Sequence, residues 1–204
     1  MEFISVEKIT EIAHHYGYLA VFLGILLENI GIPLPGETIT IVGGFLAGSK
    51  ELNYGYVLAS AIVGASLGGT IGYGIGRKGG WGLLVKIGKF FRISEEKLLK
   101  LKNEFSENAG KAVFVGRFIA LLRVFASPLA GVAEMPFLKF TAYNLLGATT
   151  WATVMVSIAF FAGKVISLEE LVAWAAKFAF LALGLVAAWI LVPIWLESRQ
   201  VEKS

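Results

Sequence analysis

Four charged residues stand inside apolar stretches of the sequence, in two pairs of opposite sign. Glu28 and Glu37 flank Pro-Leu-Pro-Gly in LLENIGIPLPGETITIVGGFLAG, and Arg117 and Arg123 stand in AVFVGRFIALLRVFASPLAGVAE. A charge at the centre of a membrane costs at least about 2.5 kcal/mol, so its presence there indicates function. The planar arginine fork matches a phosphate group, and a partly desolvated carboxylate can take up a proton. The four residues therefore indicate anion binding, with proton or cation coupling at the two acids.

The same residues also have a structural interpretation, which the sequence leaves open. Pairs such as Glu28 with Arg117 would neutralise each other and hold two segments together. Two further polar residues are candidates for supporting roles. Arg77 ends an apolar stretch and can extend to the membrane surface, and Asn144 is expected to hydrogen-bond a neighbouring helix.

The composition predicts an integral membrane protein of one domain. The chain has 204 residues, of which 56% are hydrophobic and 16% are charged. Several apolar runs exceed about 18 residues, the length that spans a bilayer. The sequence has no cysteine and two histidines, which excludes disulfides and thiolate chemistry and is too little for a histidine metal centre. No metal and no other cofactor is expected.

The beginning of the chain predicts a helix on the membrane surface. Phe3, Val6, Ile9 and Ile12 recur every three residues among polar neighbours, so residues 1–15 are expected to form an amphipathic helix. A soluble tail is the alternative. Because no basic region precedes an apolar stretch, a cleaved signal peptide is not expected.

Residues 16–48 are predicted to form a re-entrant hairpin, which enters and leaves the membrane on one side. Each limb has about 12–16 residues, or about 18–24 Å of helix, which is short for a hydrocarbon core of about 30 Å. Irregular backbone at that depth must be buried in protein or line a wet cavity. The expected breaking residues are Pro33, Pro35 and Gly36.

Residues 54–76 are predicted to span the membrane. A glycine recurs every four residues, which lets another helix approach closely and leaves room for a homodimer. The run GGTIGYGIGRKGG lacks the lysine and Ser/Thr pair of a phosphate-binding loop, and no strand is expected before it. Nucleotide and nucleic-acid binding are therefore not expected.

Residues 77–111 are predicted to be a cytoplasmic loop, because nine basic residues stand there against four glutamates. Ser94 can cap an amphipathic helix with glutamates in its first turn and Leu98, Leu101 and Phe105 on its apolar face. The basic residues are interpreted as a topology signal and a solvated face. Attraction to anionic lipid is the alternative.

The second half repeats the order of the first half. Residues 112–134 are predicted to form a second re-entrant hairpin, broken at Pro128 and Gly131, and residues 137–163 and 171–196 are predicted to span. The fold class is thus an all-α integral membrane protein, with two oppositely oriented re-entrant hairpins, about three full spans and amphipathic surface helices. This order is typical of inverted-repeat transporters. The C-terminus is expected in the cytoplasm.

Three motifs in this order resemble the DedA family, whose eukaryotic relatives carry the SNARE-associated or VTT domain. They are ENIGIPLPGE, GASLGGTIGYGIGR and FVGRFIALLRVFASPLAGVAEMPFLKFTAYNLLGATTW, between Glu28 and Trp151. The resemblance implies that Glu28 and Glu37 are the functional acids, and that Arg117 and Arg123 are the paired arginines. Two positions depart from the family pattern: Gly69 replaces an acid and Ala120 replaces a proline.

The resemblance also implies a multi-pass lipid transporter of the cell membrane. The expected activity is a flippase that returns undecaprenyl phosphate across the cytoplasmic membrane, coupled to H⁺ or Na⁺, with a role in envelope homeostasis. An energy-independent phospholipid scramblase is the alternative. A lipid phosphatase is not expected, since the core has no cysteine or histidine and its serines have no evident base. A structural or assembly factor is a further alternative.

Overall fold

The computed structural model describes residues 6–32, 34–90, 92–167 and 170. All of the regular secondary structure of these residues is helical. The predicted span 171–196 lies outside the described residues. The chain divides into two compact units, residues 1–165 and 166–204. The helices of the first unit are α1 (Val6–Ile30), α2 (Gly36–Gly48), α3 (Tyr54–Phe90), α4 (Glu95–Glu107), α5 (Ala109–Gly116), α6 (Ala120–Val132) and α7 (Phe137–Val165).

Helix α1 corrects the prediction for the start of the chain. The predicted surface helix and the first limb of the hairpin form one helix, Val6–Ile30, of 25 residues. At 1.5 Å per residue it is about 37 Å long, which exceeds the thickness of a hydrocarbon core. No proline stands between its ends, so nothing in the sequence stops the helix at residue 15. Helix α2, with 13 residues, is short as predicted.

Helix α3 continues beyond the predicted end of the span at residue 76. It runs to Phe90 through a kink at Gly80, where φ is +62°. With ψ at −165°, the backbone of Gly80 is not helical, so two helical segments meet at this residue. Glycine takes this conformation without the strain that a Cβ would bring. The chain then reverses, and Ser94 caps α4 by accepting a hydrogen bond from the amide of Lys97 at 3.4 Å. The predicted basic loop is therefore mostly a pair of helices.

The second hairpin breaks at a different place from the one predicted. Its helices α5 and α6 are separated at residues 117–119. Pro128 lies inside α6, and Gly131 lies in its last turn, so neither residue breaks the helix. The role of Gly131 is close packing, because a Cβ there would lie 2.6 Å from the amide nitrogen of Arg77 in α3.

The two halves of the bundle pack in a reciprocal way. Helix α1 packs on α3 in the first half, and α5 packs on α7 in the second. The short helix of each half then packs on the long helix of the other, α2 on α7 and α6 on α3. Helices that hold equivalent places in the two halves thus have equivalent partners.

Glycines set the closest of these contacts. In α2, a Cβ on Gly44 would lie 2.8 Å from Cβ of Ala159, and one on Gly48 would lie 2.9 Å from Cα of Gly163. In α3, a Cβ on Gly76 would lie 2.7 Å from Cα of Pro128. The glycine stripe of α3 is buried inside the chain, against α1 and α6, so it supplies no surface for a homodimer. The homodimer remains a prediction.

Two helices of the described part, α3 and α7, are long and apolar enough to cross a membrane. The other described helices are shorter or carry more polar residues. Many large apolar side chains along the bundle face outward, among them Leu67, Ile71, Leu146 and Ile158. Such a surface suits a lipid environment.

Candidate functional site

The two helix breaks place the four predicted charges close to helix ends. Glu28 is in the last turn of α1, and Glu37 is in the first turn of α2. Pro35 precedes α2 and Gly36 begins it, where the break was predicted, whereas Pro33 lies outside the described residues. Arg117 lies in the second break, and the amide of Arg123 donates to the carbonyl of Ile119 at the start of α6.

Arg123 is bound by both acids. Its Nη2 lies 2.8 Å from Oε1 of Glu28, and its Nη1 lies 2.5 Å from Oε1 of Glu37. The side chain of Arg123 is 6% exposed, so both bonds form largely out of water. A guanidinium presents several donors in one plane, which lets one arginine hold two carboxylates. Glu28 and Glu37, on opposite sides of the first break, thus share one site.

The face of the Arg123 guanidinium lies over an aromatic ring. Its Cζ is 5.5 Å from the ring centroid of Trp151, which is buried in α7. Such a cation–π contact is worth about 0.5–2 kcal/mol. The contact holds the guanidinium beside α7 while its Nη1 and Nη2 reach the two carboxylates. Trp151 was predicted only as part of a spanning segment, so its contact with Arg123 adds a residue to the site.

Arg117 is held by neutral groups alone among the described residues. Its Nη1 donates to Oδ1 of Asn29 at 2.9 Å, and its Nη2 donates to the carbonyl of Ala65 at 3.0 Å and to Oδ1 of Asn144. Arg117 is 4% exposed. Within the described part of the chain it forms no ion pair. A positive charge is therefore buried here against amide and carbonyl oxygens.

Asn144 is placed by a second hydrogen bond, in which its Nδ2 donates to the carbonyl of Ser66 at 3.0 Å. Its amide thus bridges α3 to Arg117, and the prediction that it hydrogen-bonds a neighbouring helix is confirmed. Gly69 faces the same guanidinium, and a Cβ built there would lie 2.7 Å from Nη2. The position at which the family pattern has an acid therefore points directly at Arg117.

Asn29 is a site residue that the sequence analysis missed. It stands next to Glu28 in an apolar run and is 4% exposed. A polar residue at this place was a signal that could have identified it. Consecutive residues of α1 thus contact the two arginines, one each.

Arg77 lies away from this site. Its Nη1 donates to the hydroxyl of Tyr73 at 2.7 Å, and that hydroxyl donates to the carbonyl of Met135 at 2.6 Å. Arg77 is exposed, as expected for a residue at the end of a span. It therefore serves as a control arginine.

The bundle also has an open cavity of about 520 Å³ at the far ends of α2 and α7, lined by Ser49, Lys50, Phe160 and Lys164. Its lysines are exposed, and Lys164 lies 4.5 Å from the ring centroid of Phe160. None of the four predicted charges lines it. The arginine cluster is the stronger candidate site, because its two arginines are buried, whereas the lysines of the cavity are exposed.

The two acids and two arginines balance in charge, but the balance is uneven in space. Arg123 has two carboxylates and Arg117 has none among the described residues. A buried charge is stabilised by hydrogen bonds, yet a buried cation without an anion still attracts one. The arrangement can bind an anion and can exchange a carboxylate for it.

The fold and this site define a helical membrane protein with a charged cluster between two helix breaks. The model of the VTT domain matches residues 34–161, and the chain therefore belongs to the VTT domain family. This confirms the resemblance to DedA proteins that the motifs carried.

Related chains match along most of their length. A membrane protein of Synechocystis, named as uncharacterised, is 52% identical over 189 residues, which cover 93% of this chain and 87% of the relative. The membrane protein YbfM of Bacillus subtilis, also named as uncharacterised, is 31% identical over 162 residues, which cover 79% of this chain and 98% of YbfM. A protein of Lactococcus lactis named alkaline phosphatase-like is 32% identical over 74% of this chain and 73% of its own length. No solved structure matches the chain.

Proposed function

We propose that this protein moves a lipid with an anionic phosphate head group across the cytoplasmic membrane, with undecaprenyl phosphate as the expected substrate. The observation that carries the proposal is the buried guanidinium of Arg117, with neutral partners alone among the described residues. Beside it stands an arginine whose anions are exchangeable carboxylates. Guanidinium groups are suited to phosphate by their planar donor geometry. The site therefore has the chemistry that a lipid phosphate requires.

In this proposal the arginines and the acids have different tasks. Arg117 and Arg123 attract and hold the phosphate. Glu28 and Glu37 can accept H⁺ or Na⁺ when the phosphate takes the place of a carboxylate, so that the number of unpaired buried charges stays small. Transport of the anion is then coupled to the cation that the acids take up.

The proposed orientation follows from the basic residues. The helix pair after Gly80 faces the cytoplasm, together with the C-terminus, because basic residues accumulate on that side. The two breaks then enter from opposite sides, as in inverted repeats. The reciprocal packing of the two halves supports this arrangement.

A scramblase is the second candidate, favoured by the sum of the charges. Two acids and two arginines give a site without net charge if all four are ionised. A zwitterionic phospholipid head group, which also has no net charge, needs no coupling ion there. The two candidates differ in substrate selectivity and in their dependence on an ion gradient.

Hydrolysis of a lipid phosphate is a weaker interpretation, although relatives in Lactococcus lactis are named alkaline phosphatase-like. Among the described residues, no group of three or more His, Cys, Asp or Glu could hold a metal ion. The arginine cluster also presents no nucleophile beside a base in that part of the chain. We therefore propose that the chain is a transporter and not an enzyme.

The test is movement of undecaprenyl phosphate in proteoliposomes, with wild type compared with Arg123→Ala. The matched control is Arg77→Ala, which removes an exposed arginine outside the cluster. We expect transport by wild type and by Arg77→Ala, and loss with Arg123→Ala. Size-exclusion profiles of the purified variants verify that the fold is retained.

Two results would overturn the proposal. If phospholipids move freely and undecaprenyl phosphate shows no preference, the protein is a scramblase. If the substrate loses its phosphate in the vesicles, the protein is a phosphatase.

A further inference from the structure

The two carboxylates on Arg123 are not equivalent. The side chain of Glu28 is 13% exposed, whereas that of Glu37 is 43% exposed. Oε2 of Glu28 lies against Gly36 in the first turn of α2, so closely that any side chain at position 36 would collide with it. Glu28 thus has Arg123 on one oxygen and the positive end of a helix dipole at the other. The other carboxylate, which is more open, is bound to Arg123 through Oε1.

This difference decides which carboxylate can leave Arg123. If Glu28 left, a charge with little access to water would lose its ion pair, which costs several kcal/mol in buried pairs. The side chain of Glu37 is left uncovered by protein over 43% of its surface, so the surrounding protein holds it less than it holds Glu28. Glu37 is therefore the carboxylate that is released at the lower cost.

We propose that Glu37 is a stand-in anion, which occupies on Nη1 of Arg123 the position that a phosphate oxygen of the lipid takes. The inference rests on the proposed function and adds which ligand of the cluster is exchanged. Glu28 stays on Nη2, Trp151 keeps its contact with the guanidinium, and the incoming phosphate replaces Glu37 at the more exposed side of the fork. Carboxylate and phosphate both accept hydrogen bonds through negatively charged oxygens, so one replaces the other without a change in donor geometry.

The charge count agrees with this exchange. With Glu37 withdrawn, the remaining cluster has the charges of Arg117, Arg123 and Glu28, with a net charge of about +1 if all are ionised. That charge attracts one phosphate anion. If Glu28 were withdrawn in its place, the phosphate would have to enter the more buried side of the cluster, next to Gly36.

The test is binding of dodecyl phosphate to the purified full chain in detergent micelles, measured by titration calorimetry at one fixed pH. Dodecyl maltoside serves as the neutral amphiphile. Three proteins are compared: wild type, Glu37→Gln and Glu28→Gln. The two variants remove the same charge from the same guanidinium, so a general electrostatic gain would be equal in both. Thermal unfolding in the same micelles verifies that each variant is folded.

We expect Glu37→Gln to bind dodecyl phosphate about tenfold more tightly than wild type, which corresponds to about 1.4 kcal/mol, because the competing anion is gone. Glu28→Gln is expected to gain much less. A third variant, Glu37→Asp, keeps the competing charge on a shorter side chain and should stay closer to wild type than Glu37→Gln does.

Equal gains in Glu28→Gln and Glu37→Gln would overturn the inference, since the effect would then be long-range electrostatics. Weaker binding by Glu37→Gln would also overturn it, because Glu37 would then position the anion. Either result leaves the proposed function in place if wild type still prefers dodecyl phosphate to the neutral amphiphile. If none of the three proteins shows this preference, both the inference and the proposed function are wrong.

Discussion

Glu28 and Asn29, neighbours in the last turn of α1, contact different arginines. The carboxylate of Glu28 binds Arg123, and the amide oxygen of Asn29 accepts a hydrogen bond from Arg117. One turn of one helix thus supplies an anion to one guanidinium and a neutral acceptor to the other. This asymmetry leaves the charge of Arg117 free to act on a ligand.

Asn29→Asp should remove that asymmetry with almost no change in shape. The new carboxylate would lie at the 2.9 Å contact with Nη1 of Arg117 and would neutralise it. The substitution also removes the buried hydrogen bond that Nδ2 of Asn29 donates to the carbonyl of Ile25 at 2.8 Å, so the new ion pair offsets only part of the cost and the unfolding temperature is expected to stay the same or fall. We expect lipid phosphate transport to fall by about tenfold or more, the effect of ~1.4 kcal/mol. Asn53→Asp, at an exposed position, is the control. Full transport by Asn29→Asp would show that the charge of Arg117 is only structural.

Gly69→Ala should destabilise the protein by crowding the same guanidinium. A Cβ at this position would lie 2.7 Å from Nη2 of Arg117, so the guanidinium of Arg117 and its hydrogen-bond partners must shift. Overpacking of this kind costs about 1–3 kcal/mol. Gly74→Ala is the matched control in the same helix, because a Cβ there would meet no atom within 4 Å. The measurement is thermal unfolding of both variants in detergent, and equal unfolding temperatures would contradict the packing described.

Arg123→Lys should impair transport although it keeps the positive charge. An ammonium group lacks the planar fork, so it cannot hold Glu28 and Glu37 at their present places and also keep the contact with Trp151. We expect transport to fall about tenfold or more, as for a loss of ~1.4 kcal/mol. Arg77→Lys should transport like wild type. If Arg123→Lys also does so, charge alone is sufficient and the fork has no role.

The proposed orientation can be measured with single cysteines, since the natural chain has none. Lys86 and Lys50 are both exposed, one in the helix pair after Gly80 and one between α2 and α3. In intact cells, a membrane-impermeant maleimide should label Lys50→Cys. It should label Lys86→Cys only after the cells are permeabilised. Labelling in the reverse order would contradict the proposed orientation.

The first helix break was predictable and the second was not, for a local reason. Pro35 and Gly36 stand where a helix cannot easily continue, and α2 begins there. The break at residues 117–119 has no proline or glycine within it, so local propensity gives no warning. Pro128 misled the prediction, because α6 tolerates it within its length while the neighbouring α3 supplies Gly76 for close packing.

The residues of the site were predictable in type, but their pairing was not. Charges within apolar runs identify Glu28 and Arg123 from composition alone. That both acids go to Arg123, while Arg117 receives Asn29 and Asn144, depends on how five helices come together. No spacing in the sequence encodes those distances.

Glycine contacts make two helix pairs of the bundle especially close. Gly48 and Gly163 hold α2 and α7 so closely that neither can slide along the other without a clash, and Gly76 and Gly131 do the same for α6 and α3. Arg123, on α6, reaches across to α2 through Glu37 and to α7 through its contact with Trp151. The charged cluster thus links the two helix pairs, which also pack on each other directly through α3 and α7. In the proposed exchange, an anion that takes the place of Glu37 removes the ion pair between α6 and α2, so loading of the site would also loosen the contact between these two helices.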